Sequence, residues 1–384
     1  MAYTVLARRY RSRDFDEVVG QEPIARTLRN AIRAGRVAHA YLFCGTRGVG
    51  KTTMARLFAK ALNTPKDGEL SDEVAQAIMT GRDQDVIEID AASNRGVENA
   101  RELIANCVYR PMRGPFKVYI IDEVHGLTRD AFNTLLKTME EPPEHVKFIL
   151  CTTEAHKVPA TIQSRCQRFD FRDIPSSLIA EHLANVIRQE GLDAEPELIA
   201  EVSRLGNGSM RDALSLLDRI MAAGEPRLTV KLLEELLGLP DRTLVGALID
   251  AFAEGDPGAA LDRTGELLAK GVGVEQLLET LMSRLRDLMI LAACGPKTSL
   301  IDLSGSTREE ETARAARFDA AGLVHMIAVC ESVQRAAKGS AMPRAVLDAG
   351  IVRLAMTEKL ADVTALVAQL EGGGPPGKPD RRRG

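Results

Sequence analysis

The chain has 384 residues and a formal net charge of −4, with 45% hydrophobic and 27% charged residues. This composition is typical of a soluble globular protein with two or three domains. The balanced charge does not indicate nucleic-acid binding by itself. No apolar stretch is long enough to span a bilayer, so we expect no association with a membrane.

The first residues and the cysteines indicate the cellular compartment. Residues 1–13 are polar and basic, and they lack the apolar segment of a secretory signal. The six cysteines are dispersed along the chain, and three of them lie in or beside apolar runs. Buried, reduced thiols fit this distribution better than a disulfide framework does, so we expect a cytoplasmic protein.

A phosphate-binding loop is predicted at Gly45–Thr52, which has the pattern G-x-x-x-x-G-K-T. It follows the apolar run Ala40–Cys44, a predicted buried strand, and leads into the helical pattern Thr53–Leu62. In this context successive backbone N–H groups can surround a phosphate at the start of the helix. Lys51 can reach the β- and γ-phosphates, and the Thr52 hydroxyl can bind Mg²⁺. A glycine-rich turn without a ligand is the alternative, and the Lys-Thr pair argues against it.

Short apolar strands alternate with helices up to residue 151. Helices are expected between Gly20 and Gly35 and at 71–80, 96–109 and 128–140, with strands at 86–90, 117–121 and 146–151. This alternation predicts a parallel sheet with helices on both faces. After Asp173 the pattern predicts only helices, which are short at 176–237 and long and amphipathic from 241 to about 370. The tail 371–384 is rich in Gly, Pro and Arg, and we expect it to be disordered.

Two adjacent carboxylates end a predicted strand. Asp122 and Glu123 follow the apolar run 117–121, and ligands of open parallel sheets bind where strands end. Asp122 can hold Mg²⁺, and Glu123 can orient and polarise an attacking water. The pair could otherwise cap a helix, but the upstream phosphate-binding loop favours the catalytic interpretation.

Three further side chains are candidates for contacts with a γ-phosphate. Thr153 ends the next strand, although threonine often ends strands without a chemical role. Arg165 lies near the edge of the α/β domain, where it could reach the nucleotide of a neighbouring subunit or form a surface salt bridge. Arg211 lies in the first turn of a predicted helix, where its charge opposes the helix dipole. Such a position suggests that Arg211 does not stabilise its own helix and instead has another role, such as a contact with a γ-phosphate.

Several stretches together resemble one family. They are Val5–Arg11 (VLARRYR), Phe15–Gln21 (FDEVVGQ), Glu123–His125, Asn133–Pro143 (NTLLKTMEEPP), Ser164–Cys166 and Gly208–Leu214. The chain resembles the gamma/tau subunits of bacterial DNA polymerase III, the ATPases of the sliding-clamp loader. The resemblance is densest over residues 3–220 and continues to about 370.

The resemblance implies an α/β fold of the AAA+ class. A RecA-like P-loop ATPase domain is expected at 1–175, a helical lid at 176–238 and an all-helical collar or oligomerisation domain at 239–370. In the family the collar joins five subunits into an open ring.

The resemblance also implies site roles. Lys51 and Thr52 would serve the phosphates and Mg²⁺, with Asp122 as the second metal ligand and Glu123 beside it. Thr153 looks like sensor 1, Arg165 like an arginine finger that acts in trans, and Arg211 like sensor 2. The expected ATP-binding residues are Ala7, Arg8, Tyr10, Val18, Val19, Gly45, Thr46, Arg47, Gly48, Val49, Gly50, Lys51, Thr52, Thr53, Met210 and Arg211.

Two departures from the family pattern concern zinc and length. Family members commonly carry a four-cysteine zinc module after the P-loop helix, whereas this chain has no cysteine between Cys44 and Cys107. We therefore expect no zinc. The chain also ends in a short tail, so it is gamma-like in length or a truncated part of a longer tau-like chain, and a tether to the polymerase or helicase is left open.

The implied function is that of a motor subunit. It would use ATP to load a sliding clamp onto primed DNA, together with delta, delta-prime and further gamma/tau copies, at replication forks in the nucleoid. Arg95, Arg101 and Lys137 are candidates for contacts with primer-template DNA, and solvated surface is the alternative for them. Two other functions remain open: a non-catalytic scaffold like delta-prime, and another AAA+ DNA motor such as a branch-migration helicase.

Overall fold

The computed structural model describes residues 4–65, 68, 70–94, 96–298, 300–301, 303 and 305–357. Arg95, the end of the predicted collar (358–370) and the predicted tail (371–384) lie outside these residues. The chain divides into two compact units, Met1–Ala194 with Ile199–Leu228 and Glu195–Leu198 with Thr229–Gly384. The predicted end of the lid, residue 238, lies ten residues beyond this division.

A parallel sheet forms the centre of the first unit. Its strands are β1 (Ala40–Cys44), β2 (Val86–Asp90), β3 (Lys117–Asp122), β4 (Val146–Thr152) and β5 (Gln167–Asp170). Their order across the sheet is β2-β3-β4-β1-β5. The carboxyl ends of β1, β4 and β3 therefore lie side by side, with Cys44 opposite Thr152. This edge brings the segments that follow these three strands together.

Strands β1, β3 and β4 are buried on both faces of the sheet, which explains why they are mostly apolar runs. The first unit contains helices α1 (Leu6–Arg9), α2 (Glu22–Arg33), α3 (Lys51–Asn63), α4 (Asp72–Thr80), α5 (Val97–Cys107), α6 (Arg129–Glu140), α7 (Ala160–Gln163), α8 (Ser176–Gln189), α9 (Pro196–Leu205, which begins in the second unit) and α10 (Met210–Met221). On one face Tyr41 and Phe43 pack with residues of α2 and α3. On the other face Leu42 and Phe148 pack with residues of α5 and α6. Helices on both faces hold the sheet in the predicted arrangement.

Three short strands differ from the expectations. The segment β5 was not predicted, because its residues are mostly polar and exposed and it pairs with β1 alone at the edge of the sheet. The lid segment also contains the two-residue strands β6 (Asp193–Ala194) and β7 (Arg227–Leu228), which pair in parallel. The expectation that strands end at Asp173 is therefore wrong. Two-residue pairings leave no periodic pattern in a sequence.

The second unit is helical where the structure describes it. Its helices are α11 (Val230–Leu237), α12 (Arg242–Ala253), α13 (Pro257–Ala269), α14 (Val274–Cys294), α15 (Gly305–Ala315), α16 (Ala320–Lys338) and α17 (Pro343–Ala355). The leucines of α14 that recur every three or four residues are buried in its core. Arg284 and Glu311 form a buried ion pair. Among the described residues, no helix is long and apolar enough to cross a membrane.

Candidate nucleotide-binding and catalytic site

The loop between β1 and α3 has backbone angles that glycine adopts readily. Gly48 and Gly50 have φ values of +80° and +99°, which are strained for residues with a side chain. A Cβ atom on Gly48 would also lie 1.8 Å from the Ser209 hydroxyl of the lid. Glycine at this position therefore lets the lid approach the loop closely.

The side chain of Lys51 lies inside this loop. It is buried, and its Nζ donates hydrogen bonds to the carbonyl oxygens of Gly45, at 2.9 Å, and Thr46, at 2.7 Å. Burial lowers the pKa of Lys51, and the charges of Glu123 and Asp122 oppose that shift. A cation in this position is suited to bind the charge of a phosphate group.

Thr52 and Asp122 form the second part of the site. The Thr52 hydroxyl donates to the Asp122 carboxylate at 2.7 Å, and the Glu123 backbone N–H donates to the other oxygen at 3.0 Å. Burial raises the pKa of Asp122, and these hydrogen bonds act against that rise. Two hard oxygen ligands this close fit Mg²⁺, which usually takes one or two protein oxygens together with phosphate and water.

Glu123 has an unusual backbone conformation. Its φ of +47° and ψ of +45° lie in the left-handed region, which is uncommon for a residue with a side chain. The Thr153 hydroxyl donates to its carboxylate at 3.1 Å, and His125 Nδ1 lies 3.4 Å from the same oxygen. Strain of this kind often occurs at functional sites. Here the strained residue is Glu123, whose carboxylate is held by Thr153 at the carboxyl edge of the sheet.

One pocket joins the loop, the two carboxylates, the N-terminal segment and the lid. The predicted residues that line it are Ala7, Tyr10, Val18, Val19, Arg47, Gly48, Val49, Gly50, Lys51, Thr52, Thr53, Asp122, Glu123, Met210 and Arg211. Gly45 and Thr46 do not line it, but their carbonyl oxygens hold Lys51. The pocket thus extends from the polar groups at the loop to walls of mixed polar and apolar residues from the N-terminal segment and the lid.

Besides Gly45 and Thr46, three further residues predicted for the nucleotide site lie outside this lining. Arg8 is exposed, because the single turn of α1 buries Leu6 and places Ala7 and Tyr10 along the pocket. Thr153 contacts the site through Glu123. Arg165 pairs with Glu140 at 2.6 Å at the surface.

Five lining residues were missed, namely Arg11, Ser12, Ile174, His182 and Leu214. Arg11 lies three positions after Arg8, and burial, with the nearby charge of Arg56, lowers its pKa to about 10. The Arg-rich stretch Val5–Arg11 indicated that this region is part of the site, but it did not indicate that Arg11 lines the pocket. Leu214 ends the family-like stretch Gly208–Leu214, whereas no pattern in the sequence indicated Ile174 or His182.

Two groups of bonds lie at the ends of α8, the first helix of the lid. Near the phosphate loop, the Thr46 hydroxyl donates to the Asp173 carboxylate at 2.5 Å. Near the N-terminus, Arg9 forms an ion pair with Glu190 at 2.5 Å, and the Tyr10 hydroxyl also donates to Glu190. Asp173 precedes α8 and Glu190 follows it, so these bonds connect the two ends of α8 to the phosphate loop and to the N-terminal segment.

Family models cover most of the chain. Residues 20–175 match the model described as DNA polymerase III, delta subunit. Residues 178–226 match the ATPase lid domain of the DNA polymerase III clamp loader subunit, and residues 228–370 match domain III of the gamma and tau subunits. The predicted architecture, an AAA+ domain with a lid and a following helical domain, is confirmed.

Individual relatives agree with these models. DNA polymerase III subunit tau of Escherichia coli is 42% identical over 79% of this chain and 48% of its own length. The tau subunit of Bacillus subtilis is 38% identical over 93% of this chain and 64% of its own length.

The gamma subunit of Buchnera aphidicola from Schizaphis graminum is 39% identical over 76% of this chain and 81% of its own length. The chain thus spans about half the length of the tau subunit of Escherichia coli and most of a shorter gamma subunit. Its own sequence, the family models and these relatives agree that the chain belongs to the gamma/tau family of DNA polymerase III subunits.

Proposed function

We propose that the chain is an ATPase motor subunit of a bacterial replicative clamp loader. The observation that carries this proposal is the convergence of Lys51, Thr52, Asp122 and Glu123 at the carboxyl edge of the sheet. These groups suit a nucleoside triphosphate that enters with its phosphates toward the loop. The pocket between the N-terminal segment and the lid would hold the base. Membership of the gamma/tau family supports the proposal that the chain uses ATP to load a sliding clamp.

Each group at the polar end has a chemical role in this proposal. Loop N–H groups and Lys51 bind the phosphates, and Glu123 orients a water and accepts its proton. A Mg²⁺ ion bound by Thr52 and Asp122 would neutralise phosphate charge. Thr153 holds the Glu123 carboxylate through the hydrogen bond described above. From the lid, Arg211 contacts the γ-phosphate in cis.

Arg165 would act on the nucleotide of a neighbouring subunit. It does not line the pocket of its own chain, and its side chain is about one-third exposed. A guanidinium at the surface can be presented to another subunit, and its pairing with Glu140 would hold it in place until assembly.

The assembly that we propose contains delta, delta-prime and further copies of this chain in the cytoplasm, associated with the nucleoid at replication forks. ATP binding lets the ring open a sliding clamp and grip primer-template DNA. DNA then aligns Arg165 with the neighbouring nucleotide, and hydrolysis weakens the grip so that the clamp closes.

ATP turnover tests this function. The full chain should hydrolyse ATP, and primed DNA, clamp, delta and delta-prime together should accelerate it. A chain that binds no ATP and shows no turnover in the complete mixture would instead be a scaffold subunit like delta-prime. Acceleration by branched DNA without clamp or partners would favour a branch-migration motor.

The proposed DNA surface includes α5 and α6. Arg101 and Lys137 are exposed on these two helices, which pack together, and Arg95 precedes α5 in the sequence. A loader must ignore base sequence, so contacts should go to phosphates. DNA affinity of the assembled loader should fall steeply with salt and barely change with sequence.

Neutralising Arg95, Arg101 and Lys137 to alanine should reduce the slope of log affinity against log salt by about two to three. Fluorescence anisotropy with labelled DNA at several salt concentrations measures this slope. The matched control is Arg26→Ala with Arg33→Ala, which removes two exposed arginines of α2. An unchanged slope in the triple variant, or an equal change in the control, would show that the DNA surface lies elsewhere.

Zinc binding is not expected in the segment 63–85. Ile78 is buried, and Leu70 and Val74 pack against the core, so packing of α4 holds the described part of this segment. The acidic residues Asp67 and Glu69 of this segment lie outside the described residues. Among the described residues, no group of three His, Cys, Asp or Glu side chains could hold a metal ion.

Elemental analysis of protein purified without chelator should therefore find much less than one zinc per chain. Dialysis against a strong zinc chelator should leave the thermal unfolding midpoint unchanged. About one zinc per chain would contradict this prediction and would require a site assembled from residues that are distant in sequence.

A further inference from the structure

The N-terminal wall of the pocket depends on a single turn of helix. Residues Leu6–Arg9 form α1, and Tyr10, which follows this turn, lines the pocket. One turn of helix is not stable by itself in water, because fixing its backbone costs more free energy than its few hydrogen bonds supply. Contacts with other elements must therefore hold the turn and orient the ring of Tyr10.

The lid supplies several of these contacts. Leu6 is buried, and its backbone N–H donates to the carboxylate of Asp218 on α10 at 3.4 Å. Glu190, which follows α8, accepts a hydrogen bond from the Tyr10 hydroxyl and forms an ion pair with Arg9 at 2.5 Å. The Arg9 guanidinium lies over the Tyr10 ring, 5.3 Å from its centroid. Tyr10 is thus held both at its hydroxyl and on its ring.

The position of Glu190 indicates a role outside its own helix. Glu190 lies at the carboxyl end of α8, where a negative charge is unfavourable because it adds to the negative end of the helix dipole. Its side chain is 18% exposed and is not part of the pocket lining. Its carboxylate can therefore act on a bound nucleotide through Tyr10, which does line the pocket.

The bond between Tyr10 and Glu190 persists at neutral pH. Burial raises the pKa of Tyr10, and the hydrogen bond to Glu190 raises it further, so the hydroxyl keeps the proton that it donates. An aromatic ring that is already fixed in one orientation loses little conformational freedom when a base packs against it. A fixed Tyr10 ring therefore favours binding of the base.

Resting on the proposed ATP binding, we propose that Glu190 is a positioning residue for the base, which orients the ring of Tyr10 from the lid. The base end of the pocket is then complete only while the lid contacts the N-terminal segment. Loss of Glu190 should weaken the binding of a whole nucleotide but not that of a phosphate chain alone, since Lys51 and the loop bind the phosphates.

Two ligands, one with a base and one without, test this role. The affinity of the full chain for ATP would be measured by calorimetry, and that for inorganic tripolyphosphate by displacement of a fluorescent ATP analogue. Glu190→Ala should bind ATP about three- to tenfold more weakly, in line with the loss of one hydrogen bond, and tripolyphosphate as the wild type does. In turnover, KM for ATP should rise by a similar factor while kcat stays the same. Glu181→Ala, at an exposed position of α8, is the matched control and should retain all wild-type values.

A double-mutant cycle tests whether Glu190 acts through Tyr10. Tyr10→Phe keeps the ring and removes the hydroxyl, so it should weaken ATP binding by a similar factor. The double variant should lose no more than one of the single variants, because both changes break the same bond. Glu190→Gln should recover most of the affinity, since the amide oxygen can accept from Tyr10. Thermal unfolding identifies variants that fail to fold, and Tyr10→Phe with Glu190→Gln provides the test if Glu190→Ala is one of them.

The possible outcomes separate this inference from the proposed function. The inference is overturned if Glu190→Ala binds ATP as tightly as the wild type, if it loses affinity for ATP and tripolyphosphate equally, or if the losses of the two single variants add in the double variant. A wild-type chain that binds ATP no more tightly than tripolyphosphate also overturns it, while the phosphate loop keeps its role. A wild-type chain that binds neither ligand contradicts the proposed function itself.

Discussion

Replacing Lys51 with alanine should abolish ATP binding and turnover while the fold survives. The ammonium of Lys51 is the positive side-chain charge held inside the phosphate loop, where it donates to the carbonyl oxygens of Gly45 and Thr46. Its removal leaves the phosphates with backbone N–H groups alone. We expect a loss of at least about 100-fold in ATP affinity, since hydrogen bonds that involve charges are the strong ones.

Equilibrium binding of ATP and steady-state turnover measure this effect, and circular dichroism checks the fold. Lys60→Ala is a matched control, because Lys60 lies on the same helix, α3, and donates to the carbonyl oxygen of Arg13 at the surface. It should retain wild-type values. A Lys51→Ala chain with unchanged turnover would exclude this loop from the mechanism.

Replacing Arg165 with alanine should leave ATP binding normal and reduce turnover in the assembled ring by about 10³-fold, as expected for an arginine that acts in trans. The isolated chain should show almost no change, because Arg165 does not line its own pocket. Turnover of the isolated and assembled forms would be compared. Arg168→Ala is the control, since Arg168 is exposed nearby and pairs with Asp170.

Mixed assemblies test the trans role more sharply. A ring made from Arg165→Ala and Lys51→Ala chains contains some interfaces with an intact loop on one side and an intact arginine on the other. Such rings should recover part of the turnover that each variant lacks alone. If assembly is verified and no mixture recovers activity, Arg165 does not act across the interface.

Much of the α/β unit could be predicted from the sequence, because its strands β1, β3 and β4 are buried on both faces and therefore appear as apolar runs. Of the five strands in its central sheet, β5 escaped prediction, because it is polar and lies at the edge. The glycine-lysine pattern identified the phosphate loop, since the backbone geometry of that loop requires particular residue types at fixed spacing.

The base end of the pocket was harder to predict. Its walls come from segments far apart in sequence, so their meeting depends on how the lid folds against the sheet. Arg8 and Arg11 are similar in the sequence, and the single turn of α1 decides that Arg11 enters the pocket while Arg8 stays exposed. His182 lies in no recognisable sequence pattern, so only the structure shows that it lines the pocket.

Loading of a sliding clamp onto primed circular DNA tests the central claim most directly. The chain, assembled with delta and delta-prime, would be compared with an assembly that carries Glu123→Gln. The wild-type assembly should load clamps repeatedly with ATP. The variant should bind ATP but release few closed clamps, because its amide is a poor base for the attacking water. Equal loading by both assemblies, or wild-type loading that does not depend on ATP, would contradict the account.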